Sequence, residues 1–167
     1  DVVRRNVDGV EGLDGPGPVT LSADGAYAYV AGFGSDTLSV FACDTTGALA
    51  QIQVARQDMG GINGFSDATD VALSSDGLHA YVAGGDEDAV AVFAVDPATG
   101  RTTFVQVLRY GDVSQYTTSS VDAVAVSPDG RFVYTLERYD VSSEATQTHI
   151  HTRDAATGML SLIGTLR

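Results

Sequence analysis

One segment recurs without gaps at residues 19–25, 71–77 and 124–130, four strand-like stretches fill each copy, and third stretches such as Ala89–Val95 are apolar at both parities. These observations predict an all-β chain: a β-propeller of four-stranded antiparallel blades, three of them in this chain. The aspartates of the recurring segment stand at 24, 76 and 129, which sets periods of 52 and 53 residues. Between residues 19–32 and 71–84, ten of fourteen positions are identical, so chance is excluded as the source of the likeness. An immunoglobulin-like sandwich expects units of about 100 residues and a core tryptophan, and this chain has no tryptophan.

The elements follow in order. Residues 1–18 form a leader, and Asp1-Val-Val-Arg-Arg reads as the end of a preceding blade's fourth strand. The blades then span 19–67, 68–119 and 120–167. Each opens with a Val-x-Leu/Val-Ser strand and an Asp-Gly turn, a strong hairpin signal because Gly and Asp tolerate positive φ. Second strands are expected at 26–31, 78–83 and 131–136, and third strands at 38–43, 89–95 and 146–152. An Asp-x-(x)-Thr-Gly turn leads in each copy to a fourth strand, at 49–56, 103–109 and 160–166. Strands such as Ala89-Val-Ala-Val-Phe-Ala-Val95 suit a sheet covered on both faces by neighbouring blades. Propellers hold about 4–8 blades, so three do not close a ring. The chain is expected to belong to a ring of six to eight blades, completed by more of the same chain or by a second copy.

With 9 basic and 22 acidic residues the formal net charge is −13, and all the cations are arginine. That balance argues against a nucleic-acid partner, whose phosphates call for clustered cations. The single cysteine cannot form an internal disulfide. The longest apolar run, Ala89–Val95, is far shorter than the roughly 20 residues of a transmembrane helix, so no transmembrane segment is expected. The N-terminus shows neither a signal peptide nor an initiator methionine, which makes a mature product or an excised piece the expectation.

Ser127-Pro-Asp-Gly-Arg-Phe-Val-Tyr134 and Val92-Phe-Ala-Val-Asp-Pro-Ala-Thr-Gly-Arg101 give the chain its resemblance to the lactonase/YVTN group of propeller repeats. That group includes 6-phosphogluconolactonase-like proteins and the repeats of microbial cell-surface proteins. The pattern recurs in all three copies and covers practically the whole chain. The resemblance implies a propeller, an extracellular, cell-surface or periplasmic setting, and hydrolysis of a sugar lactone in a central cleft as one activity. Lactonase-like sequences often carry His or Arg near the start of the first strand; the matching stretches here, 15–18, 68–70 and 119–122, contain neither. Arg138 matches the arginine after the second strand in the family pattern, and Glu137 stands where the pattern has Asn.

Propeller loops joining fourth to first strands share one face with those joining second to third strands, and ordered loops on a rigid scaffold are where binding resides. The candidate ligand-binding residues on that face are Asp58, Asn63, Asp67, Asp70, Asp112, Tyr116, Asp122, Tyr139 and Asp140. Glu137 and Arg138 are the catalytic candidates. Asp86, Glu87 and Asp88, in a Gly-Gly-Asp-Glu-Asp loop, are the metal candidates, with calcium as the cofactor because hard cations take carboxylate and carbonyl oxygens. Asp24, Asp76 and Asp129, like Asp44, Asp96 and Asp154, read as turn formers. His149 and His151 share a strand face at the positions of Ala91 and Phe93, which makes them core residues of a blade interface rather than metal ligands. The leading expectation is a non-enzymatic module of a secreted or cell-surface protein, binding a protein, glycan or cation on its acidic loop face. A lactonase-like hydrolase and a purely structural scaffold are the alternatives.

Overall fold

The computed structural model describes residues 9–110, 119–139 and 146–167. Three separate four-stranded antiparallel sheets follow one another, each with its strands in sequence order. The first blade holds β1 (Pro16–Leu21), β2 (Tyr27–Gly32), β3 (Thr37–Cys43) and β4 (Leu49–Arg56), with a single 3-10 turn at Phe33–Ser35. The second holds β5 (Ala68–Leu73), β6 (His79–Gly84), β7 (Ala89–Val95) and β8 (Thr102–Arg109). The third holds β9 (Ser119–Val126), β10 (Phe132–Tyr139), β11 (Thr146–Arg153) and β12 (Leu160–Leu166). The first strands β1, β5 and β9 pack against one another and form the inner edge of the arc. Among the described residues no helix is long and apolar enough to cross a membrane.

The repeated turns work through their side chains. In the first, Asp24 Oδ1 accepts from the Ser22 hydroxyl at 2.6 Å and from the Ala26 amide at 3.0 Å. The same serine-to-aspartate bond recurs in the other two copies, from Ser74 to Asp76 and from Ser127 to Asp129. Gly25, Gly77 and Gly130 take the positive φ at these turns, whereas the aspartates do not. The loop is therefore a four-residue one closed by Ser22 and Tyr27, not the two-residue Asp-Gly turn that the dipeptide alone signals. Bonds of the same kind from Ser22 and from Thr46 hold the carboxyls of Asp24 and Asp44 below the usual carboxylate range.

Neighbouring blades are joined by two side-chain contacts that recur at equivalent positions and by threonine bonds between their inner strands. Tyr29 donates its hydroxyl to the carbonyl of Gly100 at 3.0 Å, and Tyr81 donates to that of Gly158 at 3.1 Å, so each blade's second strand reaches the next blade's Thr-Gly turn. The Gln53 amide brackets the backbone of Thr102, accepting from its N–H at 2.6 Å and donating to its carbonyl at 2.8 Å. Gln106 does the same at Leu160, at 2.9 and 3.4 Å. On the inner strands Thr20 and Thr69 donate to the carbonyls of Val71 and Val121, both at 2.6 Å. Tyr134 occupies the position of Tyr29 and Tyr81 on the last blade and is 37% exposed, where the other two are fully buried.

The first seam between blades is apolar. Tyr29, Leu38 and Val40 meet Val82, Ala91 and Phe93, with Phe65 and Phe104 each set edge-on to Phe93 at 5.7 Å. Residues 9–15 repeat the local sequence of 61–67: Val10 and Leu13 cover the first blade as Ile62 and Phe65 cover the second. Gly64, in this covering segment, has φ +93°, and a Cβ there would stand 2.1 Å from Val107 Cγ2. Gly64→Ala is expected to destabilise the chain by about 3 kcal/mol, combining left-handed strain with overpacking, as read from urea midpoints.

Candidate functional site

The loop-face end of each inner strand carries a β-bulge: between Pro16 and Val19, between Ala68 and Asp70, and at the Leu136/Glu137 step opposite β9. In β9 this leaves Asp122 as the extra residue, since Leu136 pairs with Ala123 and Glu137 with Val121. A bulge re-aims a side chain, and here it turns Asp122 to the arginine of the next strand. Arg138 Nε lies 2.6 Å from Asp122 Oδ2, and the Ser120 hydroxyl donates to the other carboxylate oxygen. Arg138 is 63% exposed in its side chain, so the pair faces solvent beside the inner edge. Its Coulombic contribution to stability is therefore small. Its chemical interest lies in a fixed guanidinium held by a carboxylate.

One blade earlier the extra residue of the bulge is Thr69, and Asp70 beside it serves the backbone. Its two oxygens accept from the amides of Val71 at 2.8 Å and Val124 at 3.0 Å, which ties β5 to β9. Asp67 forms a second acidic group with Asp36 and Asp86. The Asp67 amide donates to Asp36 Oδ1 at 2.7 Å, and the Asp86 amide to the Ser66 carbonyl at 3.3 Å. Partial burial, then the nearby carboxylate of Asp86 and that of Asp36, raise the Asp67 carboxyl above its ordinary value. An acid whose folded value is raised stabilises the fold below its unfolded value near 3.9 and loses that contribution as pH rises. Asp67→Asn is thus expected to raise the urea midpoint at pH 7 relative to the parent and to leave no gain at pH 3. The left-handed φ of +50° at this residue suits Asn as well as Asp.

The remaining candidates are dispersed. Glu87 turns to Arg109, 2.6 Å away, and to the Gln57 amide. Asn63 Oδ1 lies 3.4 Å from the same Arg109 guanidinium. Asp58 and Asp88 both hold left-handed backbone at loop corners. Among the described residues no three His, Cys, Asp or Glu side chains come together in a group fit for a metal. Asp112, Tyr116 and Asp140 lie outside the described residues, and of Tyr139 only the strand position is described.

Glu137 and Arg138 point to opposite faces of β10, so the structure does not bring the two catalytic candidates together. Glu137 is 1% exposed and turns into the seam between the second and third blades, where its Oε2 lies 2.6 Å from His149 Nε2. His149 Nδ1 meets the Thr165 hydroxyl at 3.0 Å, and its ring stacks on Tyr110 at 4.2 Å and 6°. His151 Nδ1 faces the Val133 carbonyl at 3.0 Å, and its Nε2 faces the Tyr110 hydroxyl at 3.1 Å. The two histidines are core residues of a blade interface, as their alignment with Ala91 and Phe93 implies. The polar network around them is signalled only by Glu137 standing where the other repeats have Gly32 and Gly84.

A family model described as "Lactonase, 7-bladed beta-propeller" matches residues 5–114. A search of the curated proteins finds no match. Among solved structures, the periplasmic gluconolactonase PpgL of Pseudomonas aeruginosa superposes with a TM-score of 0.73 at 30% identity, covering 92% of this chain and 40% of its own. A candidate 6-phosphogluconolactonase from Bacteroides fragilis superposes at 0.74 with 24% identity, over 93% of this chain and 40% of that one. Its counterpart from Bacteroides uniformis gives 0.73 and 26%, over 92% and 40%. The chain therefore spans about 40% of the length of the solved structures it matches.

Proposed function

Because the chain belongs to the lactonase, seven-bladed β-propeller family, we propose that it is three blades of a ring that hydrolyses a sugar lactone at the loop-face end of its inner strands. The observation that carries this reading is the Arg138–Asp122 pair, a guanidinium set by a bulge at the inner edge and exposed to solvent. In lactone hydrolysis water adds to the ring carbonyl, the bond from carbonyl carbon to ring oxygen breaks, and the ring oxygen leaves as a hydroxyl after taking up a proton. Negative charge gathers on the carbonyl oxygen in the transition state. A preorganised cation aimed at that oxygen is the group such a reaction needs. Asp122, with Ser120, orients the guanidinium. A relative that acts on gluconolactone in the periplasm supports both the substrate class and a periplasmic setting.

The test is turnover of glucono-δ-lactone and 6-phosphogluconolactone by the ring-complete protein, followed by acid release in weakly buffered indicator. Turnover above the spontaneous rate is expected for at least one of them. A panel of sugar lactones with no turnover above background would sink the reading. The acidic loop face, with Asp36, Asp67 and Asp86 gathered, favours the non-enzymatic binding module as the second reading.

A further inference from the structure

We propose that the seam between the second and third blades is an acid-responsive joint, in which a hydrogen-bonded cluster of Tyr110, Thr135, Glu137, His149 and His151 stands in for the apolar packing of the first seam. The register is the starting point. The second blade presents Val82, Gly84, Ala91 and Phe93 to the first, and the third presents Thr135, Glu137, His149 and His151 to the second at the same positions. All four of these polar residues are 6% exposed or less. A mesh of this kind holds two sheets together only while every member keeps its partner.

The hydrogen bonds assign the protons. The Val133 carbonyl can only accept, so His151 Nδ1 carries the hydrogen. In the neutral imidazole Nε2 accepts from the Tyr110 hydroxyl, whose oxygen then accepts from Thr135 at 2.8 Å. With the ring neutral and its proton on Nδ1, every member of this chain of donors and acceptors is satisfied. A second proton would place a cation between His149 and Arg153, which flank it on β11. The ionisable groups at its ring are Tyr110 after β8 and His149 on β11; one step further out, His149 meets Glu137 on β10, and Arg153 gathers His79 and Tyr81 of β6 and Asp76 of the turn before β6. Glu137 is engaged by His149, and Asp76 by Arg153 at 2.6 Å. Both carboxylates of this set are therefore already committed to other cations or donors when the new charge arrives. Burial first, then the neighbouring His149, push the His151 value down to about 4.

The sign follows from linkage. A histidine whose folded value is depressed leaves the fold at full strength above about 6.5, and that strength drains away as pH falls towards 4. The change is local because the first seam has Phe93 at this position. Opening the joint would part the Asp70 carboxylate from the Val124 amide and the Thr69 hydroxyl from the Val121 carbonyl, the bonds that tie the inner strands beside Arg138.

Hydrogen–deuterium exchange on the ring-complete protein at pH 7 and pH 5, corrected for the intrinsic pH dependence of exchange, tests this. Protection in peptides covering 119–126 and 146–153 is expected to fall about tenfold more than in peptides covering 68–73 and 89–95. In His151→Phe, which restores the residue of the other two repeats, the excess loss is expected to vanish. Equal loss at both seams in the parent overturns the proposal whether or not the variant folds. So does a folded His151→Phe that keeps the full excess.

Discussion

Arg153→Leu is expected to lower stability by about 3–4 kcal/mol, read as a drop in the urea midpoint at pH 7. Arg153 stands where the first two blades have Cys43 and Val95, yet its side chain is only 2% exposed. Its guanidinium directs its donors to four groups at once. Nε reaches the Tyr81 hydroxyl at 2.9 Å, one terminal nitrogen reaches the Gly130 carbonyl at 3.0 Å, and the other reaches Asp76 at 2.6 Å and His79 Nδ1 at 2.8 Å. Leucine fills the volume and leaves the hydroxyl, the carbonyl and the imidazole without this donor in a closed seam. That asymmetry, partners stranded rather than a bond lost, sets the size of the effect. Burial works to raise the Asp76 carboxyl, but the Ser74 hydroxyl and Arg153 outweigh it and hold the value down to about 2. An acid depressed in the fold stabilises it above about pH 4 and loses that contribution as pH falls towards 2. The gap between parent and variant is therefore expected to narrow on acidification over that range. A midpoint unchanged at pH 7 would show that the network adds nothing to the seam.

Arg138→Ala is expected to lower kcat/KM for the preferred sugar lactone by about 10²–10³-fold in the ring-complete protein, the range for removing one oxyanion donor. The loss should fall mainly on kcat, because the guanidinium interacts most strongly with charge that exists only in the transition state. Stability should hardly change, since the ion pair is exposed. Asp122→Asn separates orientation from charge: it keeps a hydrogen-bond acceptor for Arg138 but weakens the hold, so a smaller loss is expected. Equal activity of Arg138→Ala and parent would remove Arg138 from the reaction and leave the inner edge without its leading group.

The strands are legible in the sequence because their signals are local. Leu49–Arg56, Ala89–Val95 and Leu160–Leu166 have the bounds that apolar runs and flanking Gly, Asp and Thr set for them. The family is legible for the same reason, since its pattern is made of turn and strand residues. What joins the blades is not. Gln53 meets Thr102 and Gln106 meets Leu160 across about 50 residues, and nothing in a glutamine on a strand says which backbone it will clasp. The echo of residues 61–67 in residues 9–15 becomes meaningful only once both segments are seen lying over a blade face. Arg138 and Glu137 are neighbours in sequence and pair naturally as candidates, but strand alternation sends one to the inner edge and the other into a seam. The bulge that aims Asp122 at Arg138 depends on pairing between β9 and β10, which a single strand's sequence does not display.

The most direct test of the account is a crystal structure of the ring-complete protein with a hydrolysis-resistant gluconolactam bound. The lactam carbonyl oxygen is expected within about 3 Å of the Arg138 guanidinium, at the loop-face end of β9 and β10. A lactam bound elsewhere in the ring, out of reach of an Arg138 still held on Asp122, would contradict it.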